Sequence, residues 1–103
     1  MAIRLAKTDE AGAVVLRVEG EVDLESSPTL WSELRGLLGR GGAVVVDLSA
    51  VDYIDSSGVA VLIQGLKHAG RTKVDFRLRR PSGRVTAVLE LAQLTRLFEI
   101  ELE

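Results

Sequence analysis

Short strands and amphipathic helices alternate along this chain, and their order limits it to few folds. Strands are predicted where β-branched residues cluster or where apolar and polar residues alternate, at residues 3–7, 13–19, 43–49 and 73–79. Apolar residues at helical spacing predict three helices, which begin at Ser27, near Ser56 and after Ser82. The alternating segment 97–103 predicts a short, charged edge strand at the end.

This order predicts one α/β domain over residues 1–103. Strand–helix–strand units join parallel strands through right-handed crossovers. Strict alternation in two of the strands argues against helices on both faces, because doubly covered strands are apolar throughout. We therefore expect a mostly parallel sheet of four to five strands, with an antiparallel strand from the N-terminal hairpin and helices mainly on one face.

The middle helix has an unusual start signal, because Asp55, Ser56 and Ser57 all precede its apolar residues. Asp and Ser are favoured N-cap residues, and one of them is enough to cap a helix. We expect Ser56 to cap and Ser57 to be the first exposed helical position, with the helix ending at Gly70. The second serine is then left over for another role.

Composition excludes several kinds of active site. The chain has no cysteine, which removes disulfides and thiolate chemistry, and its one histidine, His68, is predicted to be a solvated residue near a helix end. A triad of Ser57, His68 and Asp55 fails, because a helix separates Ser57 and His68 by about 16 Å. We therefore predict no enzyme activity, no metal and no cofactor.

Charge and hydropathy limit the classes of partner that the chain is expected to bind. The net charge of −2 favours no nucleic acid, and no apolar run approaches the length of a membrane helix. The N-terminus lacks the apolar stretch of a signal peptide, so a cytoplasmic protein without membrane insertion is expected. Six basic residues cluster between Arg71 and Arg84, and we interpret them as a solvated strand face and loop.

Two polar segments are predicted to meet at one edge of the sheet. The acidic segment GEVDLESS, residues 20–27, follows the second strand, and YIDSSG, residues 53–58, follows the third. The carboxyl ends of parallel strands lie at the same edge, where open α/β sheets place their sites. Asp23 and Asp55 should therefore lie close in space, which predicts a surface site.

These two segments carry a family resemblance. The combination of GEVDLESSPTL with VVVDLSAVDYIDSSGVAVL resembles the STAS domain, in particular the bacterial anti-sigma factor antagonists, over essentially the whole chain. The resemblance implies a partner-switching module. It implies binding to an anti-sigma factor that is also a serine kinase, release on phosphorylation, and resetting by a phosphatase.

The resemblance also assigns residues to roles. Ser57 corresponds to the phosphorylated serine, Asp55 to the aspartate beside it, and Asp23 to the acidic residue of a docking loop. A phosphate on Ser57 is expected to meet free N–H groups of the helix start and to change the surface rather than the fold. The partner-binding surface is predicted to comprise Asp23, Asp55, Ser56, Ser57, Gly58, Val59 and Val61, with Gly58 giving access to backbone and the valines giving apolar contact.

An alternative partner stays open. STAS domains also occur as small cytoplasmic subunits that bind the ATPase of lipid-transporting ABC systems, and LWSELRGLL and LELAQLTRLFEI resemble that subgroup as well. There the serine position need not be phosphorylated.

Overall fold

The computed structural model describes residues 2–102, and its elements follow the predicted order. Met1 and Glu103, which the predicted domain includes, lie outside the described residues, as does the last residue of the predicted edge strand. The strands are β1 (Ile3–Glu10), β2 (Ala13–Val22), β3 (Ala43–Ile54), β4 (Phe76–Arg79) and β5 (Glu99–Glu101). The helices are α1 (Ser27–Leu38), α2 (Ser56–Thr72) and α3 (Gly83–Leu91).

One mixed sheet carries all five strands in chain order. β1 is antiparallel to β2, and the remaining neighbours are parallel, which confirms the predicted hairpin and parallel sheet. Strands that follow one another in a single direction place their right-handed crossovers on the same face. The helices contribute to one core with the inward side chains of the strands, among them Leu16, Val46 and Leu78.

The first or last residues of several strands and helices differ from the predictions. β3 continues to Ile54 rather than ending at residue 49, because its pairing with β2 resumes after two irregularities and reaches the pair Val22 and Ile54. The middle helix passes Gly70 and ends at Thr72, where Lys73 adopts the left-handed conformation with φ of 58°. β4 begins three residues later than predicted as a result.

The sheet face opposite the core is covered by long charged side chains. Arg79 of β4 binds Glu10 at 3.1 Å and Glu101 at 2.8 Å, and Arg77 binds Asp75 at 3.0 Å. Hydrogen bonds to Glu10 and Glu101 raise the pKa of Arg79 above its ordinary value. These arginines of the predicted basic cluster are therefore ion-paired rather than merely solvated, and we call this surface the open face.

Candidate partner-binding site

The ends of β2 and β3 meet at the start of α2. Val22 is paired with Ile54, and its carbonyl oxygen accepts a hydrogen bond of 3.2 Å from the Asp55 N–H. Asp23 follows Val22 directly, so the structure brings the acidic loop and the serine pair to one edge, as the topology predicted. We call the segments Glu21–Glu25 and Asp52–Ser57 the acidic edge.

Asp55, rather than Ser56, caps α2. Its backbone is extended, and its Oδ1 accepts hydrogen bonds from the N–H groups of Ser57 at 2.8 Å and Gly58 at 3.3 Å. The carbonyl oxygen of Asp55 accepts a third bond, of 3.0 Å, from the N–H of Val59. The prediction that Ser56 caps is wrong, because the carboxylate one residue earlier already satisfies the helix start. Ser56 and Ser57 are the first two helical residues.

The two serine hydroxyls at the start of α2 are chemically available. Within residues 2–102, neither Ser56 nor Ser57 has a hydrogen-bond partner for its hydroxyl. Ser56 is exposed and Ser57 is half-buried. Other serines in turns use their hydroxyls structurally: Ser26 donates to the Glu21 carbonyl oxygen at 2.7 Å and Ser82 to the Val51 carbonyl oxygen at 2.7 Å. The hydroxyls of Ser56 and Ser57 therefore form no hydrogen bond that holds the fold of the described residues.

The loop that carries Asp23 is held in a fixed shape. Asp23 Oδ1 accepts a hydrogen bond of 2.9 Å from the Ser26 N–H, and the Ser26 hydroxyl oxygen accepts one of 3.0 Å from the Asp23 N–H. The bond from the Ser26 N–H lowers the pKa of Asp23 below its ordinary value of 3.8. Asp23 is consequently an anion, presented by a rigid turn beside the serine pair.

Gly58 is buried beneath the site instead of being open to a partner. A Cβ atom at this position would lie 2.7 Å from side-chain atoms of both Val22 and Ile54 and 3.0 Å from the Val22 carbonyl oxygen. The glycine is therefore required because α2 begins in close contact with the ends of β2 and β3. The expected reason, access of a partner to backbone, does not apply.

Val59 and Val61 also face inward. They are 8% and 5% exposed and belong to the core cluster, so they are not surface contacts for a partner in this structure. Their burial fixes the orientation of α2, and with it the direction of Ser57. Of the predicted site residues, Asp23, Asp55, Ser56 and Ser57 are the four that reach the surface.

Two apolar side chains at the acidic edge were missed from the sequence. Leu24, next to Asp23, is 76% exposed, and Tyr53, opposite Glu21 in the pairing of β2 with β3, is 41% exposed. An apolar residue inside the otherwise polar segment GEVDLESS was the available signal for Leu24. Tyrosine is enriched among the residues that contribute most to protein binding, and Leu24 adds apolar area in the neighbouring loop.

The charged side chains of the two segments that form the acidic edge are all acidic. The acidic edge carries five carboxylates, and no lysine or arginine occurs in residues 18–34 or 48–66. Within the part of the chain that is described, no group of three or more His, Asp or Glu side chains has the arrangement of a metal site. No helix among residues 2–102 is long and apolar enough to cross a membrane. The geometry is that of an anionic surface with apolar anchors and free hydroxyls.

Comparison with known proteins points to one family. Residues 4–100 match the family model STAS_2, described as "Mlab, STAS domain". A curated relative, the anti-sigma-B factor antagonist of Bacillus subtilis (strain 168), is 25% identical over 87 residues, which cover 84% of this chain and 80% of the relative.

Solved structures give the same result for the fold. An anti-sigma factor antagonist from Mycobacterium paratuberculosis superposes with a TM-score of 0.90 at 24% identity, covering 99% of this chain and 87% of that one. The anti-sigma factor antagonist SpoIIAA in its unphosphorylated form superposes with a TM-score of 0.77 at 20% identity, covering 99% and 90%. The phosphorylated form of SpoIIAA, from Bacillus, gives a TM-score of 0.72 at 19% identity, covering 99% and 93%.

Proposed function

The chain belongs to the STAS domain family, and we propose that it is an anti-sigma factor antagonist switched by phosphorylation of Ser57. In this proposal it is a cytoplasmic regulator without enzyme activity. It binds an anti-sigma factor that is also a serine kinase through the acidic edge, and a phosphatase restores it after phosphorylation. The similarity to the anti-sigma-B factor antagonist of Bacillus subtilis supports the general role of an anti-sigma factor antagonist.

The free hydroxyl of Ser57 is the observation that carries the proposal. A kinase needs a serine oxygen that is reachable and not already engaged in holding the fold. Ser57 meets both conditions, because Asp55 caps the helix through the backbone N–H of Ser57 and leaves the hydroxyl without a partner among residues 2–102. The anti-sigma factor antagonist SpoIIAA has solved structures in an unphosphorylated and a phosphorylated form, which supports the proposal of a modifiable antagonist.

The effect of phosphorylation follows from the way that Asp55 caps α2. The N–H groups of Ser57, Gly58 and Val59 are already bonded to Asp55, so the expectation that a phosphate meets free N–H groups there is wrong for these three donors. A phosphate on Ser57 instead adds about −1.5 to −2 charge beside a carboxylate. The modification therefore leaves the helix start intact and places an uncompensated charge on the docking surface.

The same surface indicates what partner it fits. Leu24 and Tyr53 provide apolar anchors, and Asp23 and Asp55 provide fixed negative charges. A partner with a small apolar pocket ringed by basic side chains is complementary to this arrangement. Phosphorylated Ser57 would lie at the same edge and would have to be desolvated next to Asp55 when the partner binds. We infer that release results from this local penalty.

The direct test is phosphorylation in solution. The chain is incubated with ATP and the anti-sigma factor kinase of its source organism, and the modified peptide is identified by mass spectrometry. One phosphate on Ser57 is expected for the wild type and for Ser56→Ala, and none for Ser57→Ala. A phosphate on Ser56, or an unmodified wild type, would contradict the assignment.

A pull-down from the source cell tests the partner independently. Recovery of an anti-sigma factor kinase supports the proposal. Recovery of the ATPase of a lipid-transporting ABC system, with Ser57 unmodified, would favour the alternative subunit role and overturn the switch. Substitution of Leu24 should reduce recovery of the partner in either case, so it tests the surface separately from the phosphorylation.

A further inference from the structure

A small cavity lies between α1 and α2. Trp31 of α1 lines one side, and Gln64, Lys67 and Arg71 of α2 line the other. Its volume is about 260 Å³, slightly below the range of roughly 300–1,000 Å³ that is typical of sites for drug-sized ligands. A site of this size suits one ring with a small polar group.

His68 lies beside this cavity with an unsatisfied nitrogen. Its ring packs edge-on against Trp31, with ring centroids 6.5 Å apart, and its Nδ1 is buried without a hydrogen-bond partner. The sequence predicted a solvated residue near the helix end, and that prediction is wrong, because α1 covers part of the ring. A buried polar atom without a partner is rare and calls for a donor or acceptor that completes it.

The polar residues of α2 at this position form one stripe. Gln64, Lys67, His68 and Arg71 follow each other at i, i+3, i+4 and i+7, which places them on one side of the helix. Lys67 and Arg71 repel each other at this spacing, and neither has an acidic partner within residues 2–102. The helix dipole favours Arg71 in the last turn but does not explain the Trp31–His68 pair beside it.

We propose that this cavity binds a small planar organic anion, an aromatic ring that bears a phosphate or carboxylate group. The ring lies against the indole of Trp31, and the anionic group lies between Lys67 and Arg71. Their side chains donate charge-assisted hydrogen bonds to it. His68 packs edge-on against the same indole and positions it. The cavity is separate from the acidic edge, so ligand binding does not depend on the proposed switch.

Trp31 is the only tryptophan of the chain, which makes its fluorescence a specific reporter. Titration with phenyl phosphate and with benzoate is expected to change the emission saturably, at micromolar to millimolar concentrations. The affinities of the two probes show which anionic group is preferred. Phenol, which has the ring but not the charge, should bind at least tenfold more weakly, and calorimetry measures the same affinities independently of the indole.

Variants separate the site from general ion binding. Lys67→Gln combined with Arg71→Gln should weaken phenyl phosphate binding about tenfold or more. Arg40→Gln, an exposed cation in the turn after α1, is the matched control and should bind as the wild type does. The proposal is overturned if neither fluorescence nor calorimetry detects binding, if the double variant binds unchanged, or if the control loses as much.

Discussion

The acidic edge and the open face are both rich in charge, but they use it differently. On the open face, arginines and carboxylates from distant strands pair with each other, as Arg79 does with Glu10 and Glu101. At the acidic edge, the carboxylates of Asp23 and Asp55 accept hydrogen bonds from backbone N–H groups of their own turns. Ion pairs hold the charges of the first surface, whereas hydrogen bonds from backbone N–H groups orient Asp23 and Asp55 at the second.

This difference indicates which charges are structural and which are available to a partner. Substitution of Arg79 or Asp47 on the open face should change stability, because each has an ion-pair partner that would be left behind. Substitution of Ser57 or Leu24 at the acidic edge should change binding instead. The four predictions below test that division, beginning with the largest expected effect.

Ser57→Asp should weaken binding of the anti-sigma factor kinase about 100-fold, because it places an uncompensated charge inside the interface. The fold should be preserved, since an acidic residue in the first turn of a helix is favourable. Affinity is measured by calorimetry and stability by thermal unfolding. Ser56→Asp, one position nearer to solvent, is the control and should bind more tightly than Ser57→Asp. A variant of Ser57 that unfolds would show that the serine is chiefly structural.

Gly58→Ala should lower the free energy of unfolding by about 2 kcal/mol, because the added methyl group overlaps Val22 and Ile54. Gly70→Ala in the same helix is the matched control. Nothing lies within 4 Å of a Cβ atom there, so alanine should raise stability by about 0.5–1 kcal/mol. Urea unfolding measures both. Equal effects at the two glycines would mean that the close contact beneath the acidic edge does not constrain residue 58.

Leu24→Ala should weaken partner binding about tenfold, as expected for an apolar anchor, and change the free energy of unfolding by less than about 0.5 kcal/mol. Leu91→Ala offers a matched comparison, because Leu91 is 86% exposed at the end of α3, away from the serine pair in the chain. It should leave both quantities unchanged. If the two variants bind alike, exposure rather than position explains the behaviour of Leu24.

Asp47→Asn should lower the free energy of unfolding at pH 7 by about 1 kcal/mol, since Asp47 bonds Arg80 at 2.7 Å across the open face. Burial raises the pKa of Asp47, but hydrogen bonds from Ser49 and Arg80 lower it by more, to below its ordinary value of 3.8. Ionised Asp47 therefore stabilises the folded state above the ordinary pKa of 3.8. This stabilisation is lost as the pH falls through the lower pKa that Asp47 has in the folded state.

Measuring the free energy of unfolding at acidic pH tests the direction of this effect. Between about pH 5 and pH 2, the wild type should lose more stability than Asp47→Asn, which has no carboxylate to protonate. Asp52→Asn is the control, because Asp52 is exposed and its carboxylate has no hydrogen bond or ion pair to any residue among 2–102. If stability falls equally with pH in the wild type and in Asp47→Asn, the ionised carboxylate of Asp47 does not contribute to stability.

Much of the fold was predictable, because its signals are local. Alternation in β2 and helical spacing in α1 and α2 were correctly read, and strand order then required the Asp23 and Asp55 segments to share an edge. The exact limits were less predictable. Gly70 reads as a helix stop, yet the helix continues to Thr72, since an exposed glycine interrupts a helix only weakly.

The candidate site was predictable at Asp23, Asp55 and the serine pair, and less so around them. Val59 and Val61 were predicted to add apolar contact to the partner-binding surface. The tertiary structure turned both inward, where they join the core of the sheet. Leu24 was overlooked because an isolated leucine in an acidic loop has no periodicity that marks it.

The sequence by itself determined the order of strands and helices, the sheet edge at which the polar segments meet, and the presence of one more serine than a helix cap needs. These depend on neighbours in the chain, whose preferences can be read directly. The tertiary structure decided that Asp55 caps, that Gly58 is enclosed and that Arg79 pairs with Glu10, 69 residues away. Such contacts depend on how strands and helices pack in three dimensions, which no local pattern records.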